Sequence, residues 1–457
     1  MTDLVCISPV DGREYARRPL ATDPEIERSL AEARRAQREW ARTPIDQRCA
    51  TILRFLAAMG ALNADIVTEI AWQMGRPVRY GGEYRSLAER VLAMVDLAPA
   101  ALAPVAGGPD GTVLRVPAGL VLVIAPWNYP FLTAANTIVP ALLAGNAVIL
   151  KHSAQTPLAG ERFTEALRTA GLPEGLFANL FLSHEQSARL LASGLVDHCT
   201  FTGSVEGGRA VERSAAGSFT TLTLELGGKD PAYVRADCDV AKAVENLADG
   251  SFYNGGQSCC GVERIYVHEA VWEPFLEGFV EAASHYRLGD PLDPETGLGP
   301  MASAGGAASV RGQVGQAIEA GAVAHVPRQL FPADSGDGAY LMPQVLTGVD
   351  HSMAVMREET FGPVAGIMKV AGDEEAVRLM NDSAFGLTAS IWTRDLDAAR
   401  SLALRVEAGT VFANRCDYLD PFLAWTGVKD SGRGASLGRF GFDSVTRPRS
   451  LHLRSAE

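Results

Sequence analysis

A cysteine ends the run Phe252-Tyr253-Asn254-Gly255-Gly256-Gln257-Ser258-Cys259, and a carboxylate, Glu225, lies 34 residues upstream in Leu224-Glu225-Leu226-Gly227-Gly228-Lys229. A thiol on a Gly-rich turn with a carboxylate placed to manage protons is the arrangement of a nucleophile and its base. Each piece alone is ordinary, because a single cysteine also packs well as a small buried hydrophobe. Two further runs change that balance. Pro126-Trp127-Asn128-Tyr129-Pro130 follows the short, β-branched stretch 120–125, which reads as a buried parallel strand delivering Asn128 to a crevice at its C-terminal end. The second is Glu358-Glu359-Thr360-Phe361-Gly362-Pro363.

The elements that must position these residues follow from periodicity. Residues 23–98 carry apolar side chains at helical spacing, among them Ile26, Leu30, Ile52, Leu56 and Met59. From Leu120 onward short apolar runs alternate with helical stretches: strands near 120–125, 148–150, 177–182, 199–201 and 222–224, with helices over 132–143 and 160–170 between them. Such alternation builds a doubly wound parallel sheet. After Glu225 a second α/β cycle begins, with strands at 264–267 and 390–393 and a helix over 271–286, and this unit carries Cys259. Residues 105–117 and 451–454 fit neither cycle and read as half-exposed strands whose free edges invite pairing with another chain.

Composition narrows the function. At 457 residues the chain is too long for one simple core, and 47% apolar with 21% charged residues is ordinary for a soluble enzyme. A net charge of −13 with no basic cluster argues against nucleic acid or an anionic membrane as partner. The N-terminus lacks a basic segment followed by an apolar one, and apolar runs fall far short of the ~20 residues a membrane span needs, so a cytoplasmic protein is expected. Seven cysteines at 6, 49, 199, 238, 259, 260 and 416, with no CxxC pair and dispersed histidines, predict neither a disulfide framework nor a metal site.

With these four runs in this order, the chain resembles the NAD(P)-dependent aldehyde dehydrogenase superfamily of the hydrolytic Cys/Glu type, from residue 20 to the C-terminus. The resemblance implies two doubly wound α/β domains and a small β oligomerisation flap. Residues 1–98 and 118–225 would form the Rossmann-like cofactor-binding domain, 226–430 the catalytic domain, and 99–117 with 440–457 the oligomerisation strands of a homodimer or homotetramer. It implies oxidation of a small aldehyde to the acid through a thiohemiacetal and thioester on Cys259, with Asn128 in the oxyanion site and Glu225 as the base for hydrolysis.

For the cofactor, NAD or NADP, the resemblance assigns Ala125, Pro126, Trp127, Lys151, Ser153, Gly203, Ser204, Leu226, Gly227, Glu359 and Phe361. Gly203 and Ser204 close a strand and open a helix, where free N–H groups favour a pyrophosphate. Relatives that prefer NAD often carry Glu three positions after the lysine. This chain has Ala154, which removes a bar to a 2′-phosphate without building a site for it, so cofactor choice stays open; His152 and Ser153 offer donors there. Tyr129, Thr133, Asn136, Ser258, Cys260 and the loop 415–425, including Trp425, are expected to line the aldehyde tunnel. Arg415 either meets an acidic substrate or pairs with Asp417. Cys260 is a wall residue or a trap for oxidised Cys259. Gln257 and Asn254 shape the cysteine loop, and Lys429 lies in a late family segment read as structural. Two other readings remain: a coenzyme A-acylating semialdehyde dehydrogenase, and a non-catalytic relative kept for binding.

Overall fold

The computed structural model describes residues 3–454. Its first sheet has six strands in the order Gly432–Arg433, Thr221–Glu225, His198–Thr202, Leu120–Ile124, Ala147–Lys151 and Phe177–Asn179. All are parallel except Gly432–Arg433, which runs antiparallel to Thr221–Glu225. The chain starts in the middle at Leu120–Ile124, winds to one side, then returns to place His198–Thr202 along the other edge of the starting strand. That reversal is a topological switch point, where the loops after two neighbouring strands diverge and leave a crevice. Leu120–Ile124 is buried along its whole length, as its unbroken apolar run predicts. Helices Asp23–Trp40, Ile45–Met74, Tyr84–Ala101 and Pro130–Ala144 supply much of the packing on this sheet.

The second sheet has seven strands, ordered Val323–Ala324, Gln344–Thr347, Val364–Val370, Val262–His268, Asp230–Val234, Thr388–Trp392 and Thr410–Ala413, and only Val323–Ala324 is antiparallel to its neighbour. The third sheet pairs Thr446–His452 with Gly111–Pro117 over seven residue pairs, with Val105–Ala106 on the far side.

Several expectations change here. Residues 99–101 still belong to the helix Tyr84–Ala101, and Phe440–Ser444 is also helical, so the flap strands begin later than the sequence suggests. These strands pair first with each other inside the chain, and what remains open is the outer edge of a three-stranded sheet. Residues 455–457 of the expected terminal segment, like residues 1–2, lie outside the described residues. The N-terminus forms an antiparallel hairpin, Asp3–Ile7 with Glu14–Pro19, that was not foreseen. The helix Ile45–Met74 is long and apolar enough by length and composition to cross a membrane, though no single apolar run in it is long. It packs on neighbouring helices in this fold, burying Ile52, Phe55, Met59, Ile70 and Met74 in the first core.

Candidate active site

Cys259 lies on a loop whose backbone is bent by three consecutive left-handed residues, Asn254 (φ 55°), Gly255 (66°) and Gly256 (68°). L-residues disfavour this region, so glycine suits two of the three positions, and Asn254 is held there by its side chain. The Asn254 amide donates to the Asn128 carbonyl and the Gln257 carbonyl, both at 3.2 Å, and its Oδ1 accepts from Arg76 Nε at 3.0 Å. Gln257 ties down the other side, donating to the Asn254 carbonyl at 2.9 Å and accepting from the Ala302 N–H at 2.9 Å. The thiol thus sits on a loop with few soft torsions left, as a nucleophile requires.

Two glycine loops press against it. A Cβ on Gly228 would lie 2.6 Å from the Cys259 carbonyl oxygen, and one on Gly256 would lie 2.8 Å from Pro363 N and closer still to the Gly362 carbonyl. The close approaches bring the Glu225 strand end and the loop 359–363 up to the cysteine turn.

Asn128 is buried, and its amide donates one hydrogen to the Gln257 carbonyl at 3.2 Å, leaving the second free. Glu225 is buried at the end of its strand, and its Oε1 has no hydrogen-bond partner among the described residues. Burial pushes its carboxyl pKa up, opposed by the hydroxyls of Ser436 and Thr202 and by the charge of Arg90. A buried carboxyl with one unpartnered oxygen is suited to exchange a proton with a transient occupant.

The opening beside the thiol is a cavity of about 320 Å³. Its walls include Tyr129, Thr133, Ser258, Cys259 and Cys260, as the sequence predicts. Trp425 is not among them. Its side chain is packed in the first hydrophobic core, and its backbone bridges to Ser436. Asn136 is likewise buried and accepts a hydrogen bond from Arg90 at 3.0 Å, so Arg90 takes the place in the wall expected of Asn136. Arg415 lies over the Tyr418 ring and is not paired with Asp417. Asp417 turns inward to accept from both Ser258 and Cys260. Cys260 is buried in the wall, and a hydrogen bond with Cys259, together with burial, pushes its thiol pKa up.

Sequence reading missed the ionic frame of the site. Arg76 is buried, pairs with Glu83 at 2.8 Å and donates to the Asn128 carbonyl, while Glu83 Oε2 accepts from the N–H groups of Phe131 and Leu132 at 3.0 and 2.7 Å. A carboxylate there satisfies the open N-terminus of the helix Pro130–Ala144 and fixes the Asn128 turn. A second buried pair, Lys229 with Glu263, holds the loop 359–363. Lys229 donates to Thr360 Oγ1 at 2.8 Å, and Glu263 accepts from the N–H groups of Thr360 and Phe361, both at 2.9 Å. The Lys229 in the Gly-Gly-Lys run was the one available signal for this pair.

The residues expected to hold a dinucleotide fall around the strand ends of the first sheet and on the loop 359–363. Ser204 caps the helix Val205–Ala215 by accepting from the Gly207 N–H, and a Cβ on Gly203 would meet the Phe201 ring at 2.7 Å. Lys151 ends the strand Ala147–Lys151 half-buried; burial alone lowers its pKa, and it has no ion pair among the described residues. Ser153 follows it half-exposed, whereas His152 is buried, its ring nitrogens engaged with the Pro130 carbonyl and the Ser153 N–H, so it is not a donor toward this crevice. Ala125 donates its N–H to the Lys151 carbonyl at 3.1 Å, joining the loop of residues 125–127 to that strand end. Leu226 is buried, its side chain against Gly208 and its N–H donating to the Ser431 carbonyl at 3.0 Å. Glu359 accepts from the Gly228 N–H at 3.2 Å, and a Cβ on Gly227 would lie 2.5 Å from its carboxyl carbon. Burial and the charge of Glu263 push its pKa to about 8. Phe361, at φ 50°, packs edge-on against Trp127 with ring centroids 5.6 Å apart. A helix N-terminus, an unpaired cation, a glycine cradle and an aromatic pair make up a donor set that fits an anionic dinucleotide with an aromatic head.

Comparison with known proteins agrees. The family model described as the aldehyde dehydrogenase family matches residues 2–451. The chain is 34% identical to a betaine aldehyde dehydrogenase 2 of Rhizobium meliloti (strain 1021), over 99% of this chain and 94% of that protein. It is 33% identical to a succinate semialdehyde dehydrogenase [NAD(P)+] of Escherichia coli (strain K12), over 96% of both chains. The crystal structure of a succinic semialdehyde dehydrogenase from Streptococcus pyogenes in complex with NADP+ superposes with a TM-score of 0.92 at 27% identity, covering 99% of this chain and 100% of that one. The chain belongs to the aldehyde dehydrogenase family, and it is an NAD(P)-dependent oxidoreductase acting on aldehydes.

Proposed function

We propose that the oxidation runs through covalent catalysis at Cys259, with Asn128 and Glu225 as its partners. The observation that carries this reading is the strained turn 254–256, which fixes Cys259 in the wall of the cavity while Gly228 brings the Glu225 strand end to its carbonyl.

The Cys259 thiolate attacks the aldehyde carbon, forming a carbon–sulfur bond and moving the carbonyl electrons onto oxygen. That oxyanion is met by the second hydrogen of the Asn128 amide and by the Cys259 backbone N–H. When bound, the nicotinamide supplies the hydride acceptor. Re-formation of the carbonyl from the oxyanion, as the hydrogen leaves the carbon with its bonding pair as hydride, makes a thioester on Cys259. Glu225 then takes a proton from water, hydroxide adds to the thioester carbon, and the acid departs as the carbon–sulfur bond breaks. Because burial raises the Glu225 pKa, its basic form is completed only above the ordinary carboxylate range, and activity should rise with pH until it is ionised.

In this reading Gly203 and Ser204 receive the pyrophosphate, Lys151 and Ser153 face the adenosine ribose, Glu359 grips the nicotinamide ribose, and Ala125, Pro126, Trp127, Leu226, Gly227 and Phe361 wall the crevice. The parallel sheet that starts at Leu120 would be the core of the cofactor-binding domain and the seven-stranded sheet that of the catalytic domain. The open edge of the third sheet supports assembly into a homodimer or homotetramer, with Val105 and Leu453 left exposed beside it. A base at position 225 favours hydrolysis of the thioester over its transfer to coenzyme A.

The test is a stopped-flow assay of NAD(P)H formation at 340 nm with Cys259→Ala and Glu225→Gln. The first should form no NAD(P)H. The second should give one rapid burst followed by turnover slowed ~10²- to 10⁴-fold, the usual worth of a general base. Full turnover by Cys259→Ala, or an unchanged kcat in Glu225→Gln, overturns the assignment of that residue.

A further inference from the structure

Charge in the Cys259 cavity is unevenly balanced. Arg76 is paired with Glu83 at 2.8 Å and Arg85 with Glu89 at 3.9 Å. The remaining charged groups of the wall are one guanidinium, Arg90, and two carboxylates, Asp249 and Asp417, none of which has an ion pair among the described residues. Arg90 is directed partly to neutral acceptors, the Asn136 side chain at 3.0 Å and the Leu132 carbonyl at 3.5 Å.

Asp417 stands nearest the chemistry. Its Oδ1 accepts from Ser258 Oγ and from Cys260 Sγ, both at 2.9 Å, so one carboxylate oxygen is bonded to the residues on either side of Cys259. Its backbone sits at φ 44°, in the left-handed region that Asp enters more readily than most non-glycine residues. Oδ2 makes no hydrogen bond among the described residues and stays available to a ligand in the cavity. Tyr80, Tyr129, Tyr253 and Tyr418 make the same wall aromatic. A half-buried carboxylate among phenol rings attracts a cation and repels an anion.

Resting on the aldehyde-oxidising reading above, we propose that Asp417 is a specificity-determining residue that selects aldehydes carrying an ammonium group close to the carbonyl and disfavours those carrying a carboxylate. The position follows from geometry, since a group bonded to both neighbours of the nucleophile reads the first few substrate carbons beyond the reacting one. Burial pushes the Asp417 carboxyl up to about 6, which leaves it ionised at the mildly alkaline pH of an assay. The proposal separates this chain from the succinate semialdehyde dehydrogenases it resembles, because their substrate ends in a carboxylate.

The test uses two aldehydes of one shape that differ by one charge: trimethylammonioacetaldehyde and 3,3-dimethylbutanal. NAD(P)H formation by the full-length protein at pH 8 gives kcat/KM for each. The cation should be favoured by wild type ~10-fold or more, and Asp417→Asn should collapse that ratio toward one, as expected for a close charge contact. A second pair, succinate semialdehyde and 4-methylpentanal, should favour the neutral aldehyde in wild type and lose that preference in the variant. If Asp417→Asn does not fold, wild-type inhibition by choline against 3,3-dimethylbutan-1-ol reads the same charge preference. A wild-type ratio near one, a ratio unchanged in Asp417→Asn, or a preference for the carboxylate overturns the proposal. If neutral aldehydes are oxidised without charge discrimination, only the selectivity fails; if no aldehyde is oxidised, the aldehyde reading fails with it.

Discussion

Gly255 and Gly256 offer a paired test of whether the cysteine turn must press against the loop 359–363. Both have left-handed φ angles, 66° and 68°, so Ala at either position pays a similar conformational cost of ~1–2 kcal/mol. Their surroundings differ. A Cβ on Gly255 meets only the Gln257 amide nitrogen at 3.3 Å, the tip of a side chain that can give by a tenth of an ångström. A Cβ on Gly256 falls 2.8 Å from Pro363 N and nearer still to the Gly362 carbonyl, both backbone, where ordinary contact begins at 3.4 Å. The two loops must then part by 0.6 Å or more, adding ~1–3 kcal/mol of overpacking to the shared cost. Displacement on this scale between a nucleophile and the groups that orient its reaction partner costs ~10²-fold in rate. Gly256→Ala is therefore expected to unfold at a lower temperature than Gly255→Ala and to show a kcat/KM ~10²-fold lower, with cofactor-dependent NAD(P)H formation as the assay. Equal kcat/KM values in two folded variants would show that the approach of the loops is packing without catalytic consequence.

Ala154 is exposed just beyond Lys151, and Ala154→Glu should lower kcat/KM with NADP much more than with NAD, by ~10- to 10³-fold in the ratio, since a carboxylate there repels a 2′-phosphate and accepts from a 2′-hydroxyl. An unchanged ratio would remove position 154 from the adenosine ribose. Light scattering of the full-length chain should give a dimer or tetramer, and ending the chain before Ser450 should weaken assembly, because it removes part of the strand Thr446–His452 that forms the open edge. A monomer mass for the intact chain would refute the edge as an assembly surface.

The sequence alone determined the parts of this protein that short-range physics encodes. The short β-branched run 120–125 reads as a buried strand, and the structure has Leu120–Ile124 buried throughout. The glycines before Cys259 announced a turn that L-residues avoid, and the backbone there is left-handed at three successive positions. Alternating strand and helix periods fixed a wound α/β chain, and the ordered motifs gave its family. The N-terminal hairpin escaped because its buried residues, Leu4, Cys6 and Ala16, are too few to mark a period against the charged residues around them. Trp425 escaped for a different reason: a large aromatic near a predicted tunnel suits a core equally well, and only packing chose the core.

What tertiary structure decided is the ionic frame and the character of the cavity. Arg76 meets Asn254 across 178 positions of sequence, and Ser258 meets Asp417 across 159. No local pattern carries such partnerships, because a buried charge is tolerable only where the fold brings its counter-ion or hydrogen-bond donors to it. Lys229 and Glu263 are ordinary charged residues in the sequence and become the clamp on the loop 359–363 only once two strands of the second sheet place them together in the core. The nucleophile is thus written in its neighbours along the chain, while the groups that hold and surround it are set by which distant segments the two sheets bring side by side.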